Sequence, residues 1–376
     1  MPTGRIALVA GAIGLVLVAD VGLEPAGAQQ PEPAGEPVAV LAEAPPIQLP
    51  GPADSNSPAV WGLVSGRDQL HILTSVAGRP SLGRGLSFDR LAPLAPVRWT
   101  GAPPSGGVWM ESVIPDAAGV WFGYYHNERE NVVCPGSGRV LPRIGAARSG
   151  DRGRTWRDLG PILEAPAGTE QCETLNRYFV GGVGDFTAIL DHAEQYVYFF
   201  YSQYFEPGTG VSLARMVWAN RTAPAGRVTV WNGSAWAPAR SSRVPNGTGG
   251  TVTVYSFPPA APFLRARDPW DDADAEVDVH WGPSIHWNTH LNLYVMLLNH
   301  AGSPEWDQKG VYVSFAPRLD DPRLWTPPVP LLTGGRWYPQ VMGLDPGRGT
   351  DKEAGELARF FMSGRSDFTI HFYRQP

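Results

Sequence analysis

The chain has 376 residues and a formal net charge of −6, and its charged side chains are spread along its length. The sequence has no run of consecutive Lys and Arg residues, so nucleic acid and anionic membranes are not expected as partners. Gly (44) and Pro (38) are abundant, aromatic residues are frequent, and no segment keeps a helical apolar spacing, which predicts an all-β fold.

The N-terminus has the pattern of a secretory signal peptide. Arg5 precedes an apolar run over residues 6–19, and Ala26-Gly27-Ala28 forms a small-residue cleavage motif. An uncleaved anchor helix is the alternative, but the run is short for a bilayer span. The sequence therefore predicts a signal peptide over 1–28, a Pro/Ala-rich linker over 29–52 and a domain over 53–376, secreted or periplasmic, without stable membrane insertion.

Five similar units follow, each with a polar entry residue, an apolar strand and a partner strand. The intervals between units leave room for two further strands each, and four strands per repeat predict a five-bladed β-propeller. We expect strands from both chain ends to complete the first blade. The paired segments are 54–61 with 70–75, 111–114 with 121–126, 185–190 with 196–201, 284–288 with 293–298, and 339–343 with 358–362.

Two cysteines occur in this exported chain, and each lies in a loop beside a predicted inner strand. A disulfide between Cys134 and Cys172 is expected in an oxidising compartment, and two unpaired thiols are the alternative.

Three carboxylates lie at predicted strand entrances: Asp54, Glu111 and Asp185. Inner propeller strands run outward from the axis, so their entrances converge, and neighbouring carboxylates raise one another's pKa. One can then stay protonated while another is ionised, as glycoside cleavage requires. The alternative is that they cap strands or bind a central cation. No cofactor is certain, although a structural Ca²⁺ on the axis is a candidate.

Aromatic and polar residues cluster on the same segments, as expected for a carbohydrate site, because sugar rings stack on Trp and Tyr while hydroxyls bond to polar groups. Neither His126 nor His286 has a zinc-ligand spacing, so no catalytic metal is predicted. The predicted carbohydrate-binding residues are Asn56, Trp109, Tyr125, His126, Ser284, His286, Trp287, Asn288, Tyr338 and Gln340.

Two motifs indicate a known architecture. Residues 149–156 (SGDRGRTW) fit the Asp box of sialidase-like propellers, in which Asp151 has a structural role, and residues 320–328 contain a weaker Asp/Pro/Trp pattern. The chain resembles the five-bladed β-propeller glycoside hydrolases, the group of arabinanases, xylosidases and fructosidases. The resemblance runs from about Asp54 to the C-terminus and concerns architecture and entry-strand pattern.

This resemblance implies a base or nucleophile Asp, an Asp that tunes the acid, and a Glu acid. Asp54 matches the first by its place in the repeat and Asp185 the second. The fourth blade has Ser284 and His286 where the Glu is expected, so Glu111 is the substitute acid. Members with an Asp base often invert configuration, which favours inversion here.

The expected function is a secreted, bacterial, monomeric glycoside hydrolase. A carbohydrate-binding propeller without turnover is the alternative, because the fourth blade lacks the expected Glu. A sialidase is less favoured, since Arg143, Arg177 and Arg215 do not form a convincing arginine triad.

Overall fold

The computed structural model describes residues 35–102, 104–130, 133–206, 208–247, 249–267, 270 and 277–376. The predicted signal peptide lies outside these residues. The described part of the chain is nearly all β-structure, with short 3-10 helices at Trp218–Asn220 and Pro322–Leu324. Within it, no helix has the length and apolar character needed to cross a bilayer. The all-β prediction is confirmed.

The blades are antiparallel sheets that follow one another along the chain. The first strand, β1 (Pro37–Gln48), belongs to the last blade. The first blade contains β2 (Ala59–Val64), β3 (Arg67–Val76), β4 (Arg79–Gly85) and β5 (Ala95–Pro96). The second contains β6 (Arg98–Trp99), β7 (Gly107–Pro115), β8 (Trp121–Glu130), β9 (Val140–Ser149) and β10 (Thr155–Leu163).

The third blade is extended by additional short strands. It contains β11 (Val183–Leu190), β12 (Tyr196–Gln203), β13 (Gly210–Val217), β14 (Thr229–Trp231) and β15 (Trp236–Pro238). A separate hairpin follows, formed by β16 (Arg240–Pro245) and β17 (Thr251–Ser256), and then β18 (Leu264–Arg265) pairs with β13.

The fourth and fifth blades complete the ring. The fourth contains β19 (Val279–Asn288), β20 (Leu293–Ala301), β21 (Gln308–Ala316) and β22 (Val329–Thr333). The fifth contains β23 (Pro339–Gly343), β25 (Leu357–Met362), β26 (Arg365–Arg374) and β1, while β24 (Glu353–Ala354) pairs with β19. The five predicted strand pairs correspond to β2 with β3, β7 with β8, β11 with β12, β19 with β20, and β23 with β25, one pair in each blade, which confirms the five-bladed propeller.

Strand β1 corrects two details of the sequence interpretation. Residues 37–48 belong to the predicted linker, yet β1 pairs with β26 over most of its length. The ring is therefore closed in the fifth blade, and the first blade is built from β2–β5 alone. Prolines obscured this strand in the sequence, but an edge strand tolerates them because its outer N–H groups need no partner. Ala39 and Leu41 pack on the apolar cluster between the fourth and fifth blades.

Apolar side chains fill the space between successive blades. Alternation along each strand directs side chains to the two faces of its sheet, and each face packs on a neighbouring blade. Ile189 and Ile285, for example, lie in one cluster between the third and fourth blades. Regular positions on an inner strand are therefore committed to packing between blades.

Irregular positions occur in three inner strands. The strand register shifts between Met110 and Ser112 in β7, and between Gly184 and Phe186 in β11, so that Glu111 and Asp185 are the extra residues. In β19 the shift lies between Trp281 and Ser284. A bulge re-aims the side chain of its extra residue. These bulges direct Glu111 and Asp185 away from the packing between blades.

Residues 349–354, here called the axial segment, connect the inner strands of several blades. The Asp351 Oδ1 atom accepts a hydrogen bond from the Ala59 amide at 2.8 Å, and Glu353 pairs with Trp287. The Lys352 Nζ atom donates to Thr187 Oγ1 at 2.6 Å and to Ser112 Oγ at 3.2 Å. The segment thus ties β2, β7, β11 and β19 together at the axis.

Candidate active site

A cavity of about 300 Å³ lies at the end of the axis where the inner strands begin. The bulge residues Glu111 and Asp185 both line it, and so does Asp54, which precedes β2. The three carboxylates that the sequence singled out therefore share one cavity. The other lining residues are Trp109, His126, Glu128, Glu130, Gly138, Val140, Arg177, Tyr178, Phe179, Trp306, Trp337 and Tyr338.

Glu111 is the most deeply buried of the three carboxyl groups, with 1% of its surface exposed. Its Oε2 atom accepts a hydrogen bond from the Phe186 amide at 2.7 Å, whereas Oε1 has no hydrogen-bond partner among the described residues. Burial, reinforced by the charge of Asp185, raises the pKa of Glu111 to about 8. Glu111 is therefore mainly protonated at neutral pH.

Asp185 has a left-handed backbone conformation, with φ of 38°. Its Oδ2 atom accepts a hydrogen bond from the Tyr204 hydroxyl, and its Oδ1 atom accepts one from the Tyr338 hydroxyl at 3.3 Å. Burial raises the pKa of Asp185, while nearby His126 and the two hydroxyl groups oppose that rise. Donors of this kind favour the ionised carboxylate beside a protonated Glu111.

His126 lies between the two carboxyl groups. Its Nδ1 atom is 3.8 Å from Glu111 Oε1 and 3.7 Å from Asp185 Oδ1, and it accepts a hydrogen bond from the Asp185 amide at 2.9 Å. Burial lowers the pKa of His126, but Glu128 and the other carboxylates raise it overall to about 9. The contact with the Asp185 amide opposes this rise, because a protonated Nδ1 atom cannot accept a hydrogen bond, and Nε2 lies 3.3 Å from Glu128 Oε1.

Asp54 is held by a different set of partners. Its Oδ1 atom accepts a hydrogen bond from the Trp109 indole at 2.6 Å, and its Oδ2 atom accepts one from the Ala77 amide at 2.8 Å. Burial raises the pKa of Asp54, and these two donors counteract that rise. Both of its oxygens therefore have donors that stabilise the ionised form, in contrast to Oε1 of Glu111.

Aromatic rings form much of the remaining wall. Trp306 packs edge-to-face on Tyr178 and Phe179 with ring centroids 5.7 and 5.3 Å apart, and Trp337 contacts Tyr178 at 6.0 Å. Tyr178 remains 38% exposed. The sequence interpretation included Trp109 and Tyr338 but missed Tyr178, Phe179 and Trp306, because these three lie in segments that only the folded chain brings together.

The loop that carries Arg177, Tyr178 and Phe179 is anchored by a disulfide. Cys134 and Cys172 are bonded, with their Cα atoms 5.6 Å apart, which confirms the predicted pairing. The Arg139 guanidinium also donates to the Cys172 carbonyl at 3.1 Å. The bond therefore ties the loop after β8 to the loop before β11 beside the cavity.

Glu128 and Glu130 were also missed. They alternate with His126 along β8, and all three line the cavity. Spacing by two along a strand places side chains on one face, so the sequence did contain a signal for them.

Several predicted binding residues serve the scaffold instead. The Tyr125 hydroxyl donates to Asp158 at 2.7 Å, and its ring packs in the core of the second blade. The Gln340 side chain bonds both backbone groups of Ser57, at 2.6 and 2.9 Å. Asn56 is buried, and its Nδ2 atom lies 3.5 Å from the Phe186 carbonyl. None of these three lines the cavity.

The predicted residues of β19 also lie elsewhere, because they occupy regular strand positions. His286 is buried near Phe372 of the fifth blade, and burial lowers its pKa to about 3. Trp287 packs on His192 and Tyr294 and lines a separate cavity of about 350 Å³. Asn288 caps a turn by accepting the amides of His290 and Leu291. Ser284 is buried and is not among the cavity-lining residues.

The buried trio of Glu111, His126 and Asp185 presents oxygen and nitrogen atoms within 4.8 Å of one another, a spacing that could hold a metal ion. The Nδ1 atom of His126 already accepts the Asp185 amide, so metal binding there would require that hydrogen bond to break. The Ca²⁺ expected on the axis stays a prediction. The Lys352 ammonium is a cation that the chain itself places among the inner strands.

No family model matches the sequence, and no curated protein matches it. Solved structures do match in shape. An endo-arabinase from Bacteroides thetaiotaomicron VPI-5482 is 9% identical, with a TM-score of 0.49 over 89% of this chain and 98% of that one. A thermostable family-43 glycoside hydrolase is 11% identical, with a TM-score of 0.47 over 87% and 92%. An exo-β-1,3-galactanase from Phanerochaete chrysosporium is 12% identical, with a TM-score of 0.45 over 90% and 64%. At these values, the three similarities assign no activity to this chain.

Proposed function

We propose that the chain is a glycoside hydrolase. The observation that carries the proposal is the pairing of Glu111 with Asp185: their carboxylate oxygens lie within 4.8 Å, both side chains are buried, and the pKa of Glu111 is raised to about 8. A carboxylic acid kept protonated at neutral pH, in a cavity that also contains a hydrogen-bonded carboxylate, is the arrangement that glycosidic bond cleavage uses.

Each carboxyl group has a distinct role in this proposal. Oε1 of Glu111 has no partner among the described residues, so it can carry the proton and donate it to the leaving glycosidic oxygen. Asp54 attacks the anomeric carbon or activates a water molecule. Asp185 contacts neither the glycosidic oxygen nor the anomeric carbon. Its negative charge keeps Glu111 protonated until the proton is transferred. The Glu111 proton leaves with the alcohol, and a proton from water restores it.

The stereochemical outcome depends on the distance between the Asp54 and Glu111 carboxyl groups. Roughly 5 Å implies a covalent, retaining route, and roughly 6.5 to 9.5 Å leaves room for a water molecule and implies inversion. We favour inversion, as the sequence resemblance suggested. Proton NMR of the first-formed anomer would settle this point.

Export is part of the proposal. The signal-peptide pattern of residues 1–28 motivates it, and the Cys134–Cys172 bond suits an oxidising compartment. A polysaccharide or oligosaccharide outside the cytoplasm would then be the substrate.

The test is a screen of aryl glycosides and polysaccharides with the purified chain and with Glu111→Gln. Gln keeps an acceptor for the Phe186 amide but cannot donate an acidic proton. Hydrolysis by the wild type that the variant loses supports the proposal. Sugar binding without hydrolysis by either protein would instead support the non-catalytic alternative.

A further inference from the structure

Strand β8 presents a column of acidic side chains to the cavity. His126, Glu128 and Glu130 lie two residues apart, and all three line the cavity. His126 is buried, 25% of the Glu128 side chain is exposed, and Glu130 at the end of the strand is exposed. The column therefore runs from the buried acid Glu111 toward solvent.

The cavity has too few basic groups to balance its carboxyl groups. Its described lining has five carboxyl groups, at Asp54, Glu111, Glu128, Glu130 and Asp185, against the single guanidinium of Arg177 and the ring of His126. The Glu128 Oε1 atom lies 3.3 Å from Nε2 of His126. A ligand with a carboxylate or sulfate group would meet repulsion here, whereas a cationic group would relieve it.

Two further observations indicate a sugar-sized ligand. Oε1 of Glu111 is buried in the lining without a hydrogen-bond partner among the described residues, so a ligand group is needed to satisfy it. The rings of Tyr178 and Trp337 offer surfaces for stacking beside the carboxylates. Stacking surfaces beside a buried, protonated carboxyl group without a partner fit a pyranose ring that offers an oxygen to accept its hydrogen bond.

We propose that the substrate contains hexosamine units with a free, protonated amine, which Glu128 and Glu130 bind. The inference rests on the proposed function and deepens it by naming the substrate class. The ammonium group donates charge-assisted hydrogen bonds to the two carboxylates, which are stronger than those a neutral hydroxyl makes. An N-acetyl group removes the charge and adds bulk at the same position.

The test measures binding to the Asp54→Asn chain by isothermal titration calorimetry, so that turnover does not consume the ligand. The probes are glucosamine and galactosamine tetrasaccharides and their N-acetylated counterparts. We expect at least one free amine to bind about tenfold more tightly than its acetylated form, because hydrogen bonds to charged groups are the stronger ones. Added salt should weaken only the amine form.

A double variant, Glu128→Gln with Glu130→Gln, should remove this preference, because Gln keeps the size and polarity of each side chain but not its negative charge. Glu43→Gln with Glu194→Gln, at exposed sites on β1 and on the turn before β12, removes the same total charge and should keep the preference. Equal binding of amine and acetylated forms, or no binding of either, would overturn the inference.

The proposed function is tested separately. If the inference fails, hydrolysis of a neutral glycoside would still support the proposed function. Amine-selective binding without hydrolysis by the wild type would support the inference and refute catalysis.

Discussion

Glu111 and Asp185 occupy the extra position of a bulge in neighbouring inner strands, and their carboxylate oxygens lie within 4.8 Å of each other. A regular strand would have directed both side chains into the packing between blades. The paired bulges instead place two carboxyl groups in one buried site, where their mutual repulsion disfavours double ionisation. The raised pKa of Glu111 is thus a property of the backbone irregularities as well as of burial.

Glu111→Gln should stabilise the protein near neutral pH. The folded state raises the pKa of Glu111 from 4.5 to about 8, so its ionisation costs stability as pH rises between these values, at about 1.4 kcal/mol per unit of pKa difference. Urea unfolding should give the variant a free energy of unfolding that exceeds that of the wild type by about a few kcal/mol at pH 8. At pH 4 the two proteins should differ little. A difference in the free energy of unfolding that stays constant across this pH range would contradict the raised pKa of Glu111.

Asp185→Asn should lower the pH at which activity is lost on the alkaline side. Burial is the larger cause of the raised pKa of Glu111, and the charge of Asp185 is the second. Removing that charge lets Glu111 ionise at lower pH, while Asn can still accept hydrogen bonds from Tyr204 or Tyr338. The measurement is the pH profile of kcat/KM, and an unchanged alkaline limb would refute the coupling.

Asp54→Asn should abolish turnover at a modest cost in stability. Both Asp54 oxygens accept hydrogen bonds. In the variant, the NH₂ group of Asn replaces one of these oxygens, so it must face the N–H group of either the Trp109 indole or the Ala77 amide, and that hydrogen bond is lost. We expect a loss of about 1–2 kcal/mol in thermal or urea unfolding. Asp191→Asn is a matched control. A single Asp191 oxygen accepts the hydrogen bonds from two backbone amides of its turn, and the Asn side chain keeps such an oxygen. Full activity in Asp54→Asn would rule out its proposed role.

Lys352→Met should destabilise the ring. The change removes hydrogen bonds to Ser112 and Thr187 and leaves the buried Asp351 without the ammonium 3.1 Å away. Breaking a largely buried ion pair in this way should cost about 2–4 kcal/mol. In a double-mutant cycle with Asp351→Asn, the second change should recover part of that loss; strictly additive losses would mean that the pair is not coupled.

Replacing both cysteines by Ser should destabilise the chain by roughly 3–4 kcal/mol in the chain-entropy model, because the bond closes a loop of 38 residues. The loop before β11 also carries Tyr178 and Phe179 to the cavity, so KM should rise more than kcat falls. A mild reductant applied to the wild type should reproduce the effect, and an unchanged KM would mean that the loop holds its position without the bond.

The sequence predicted the blades well because each inner strand has an apolar run after a polar residue. The same pattern singled out Asp54, Glu111 and Asp185, which line one cavity. It did not show that His286 and Trp287 lie outside that cavity, since alternation separates the two faces of a strand but does not show that both faces pack on neighbouring blades. It also failed for Tyr178 and Trp306, which lie in loops more than 100 positions apart and meet only in the folded ring. Strand β1 was missed because Pro45 and Pro46 interrupt its pattern.

The axial segment has a consequence for how a polymer can reach the carboxylates. Lys352 and its partners occupy the axis between the cavity at Glu111 and the separate cavity at Trp287. A sugar chain therefore cannot thread through the molecule from one end to the other. For the proposed hydrolase, substrate would enter and both products would depart through the same opening, so the fragment bound deepest would have to leave before the next chain could occupy its place.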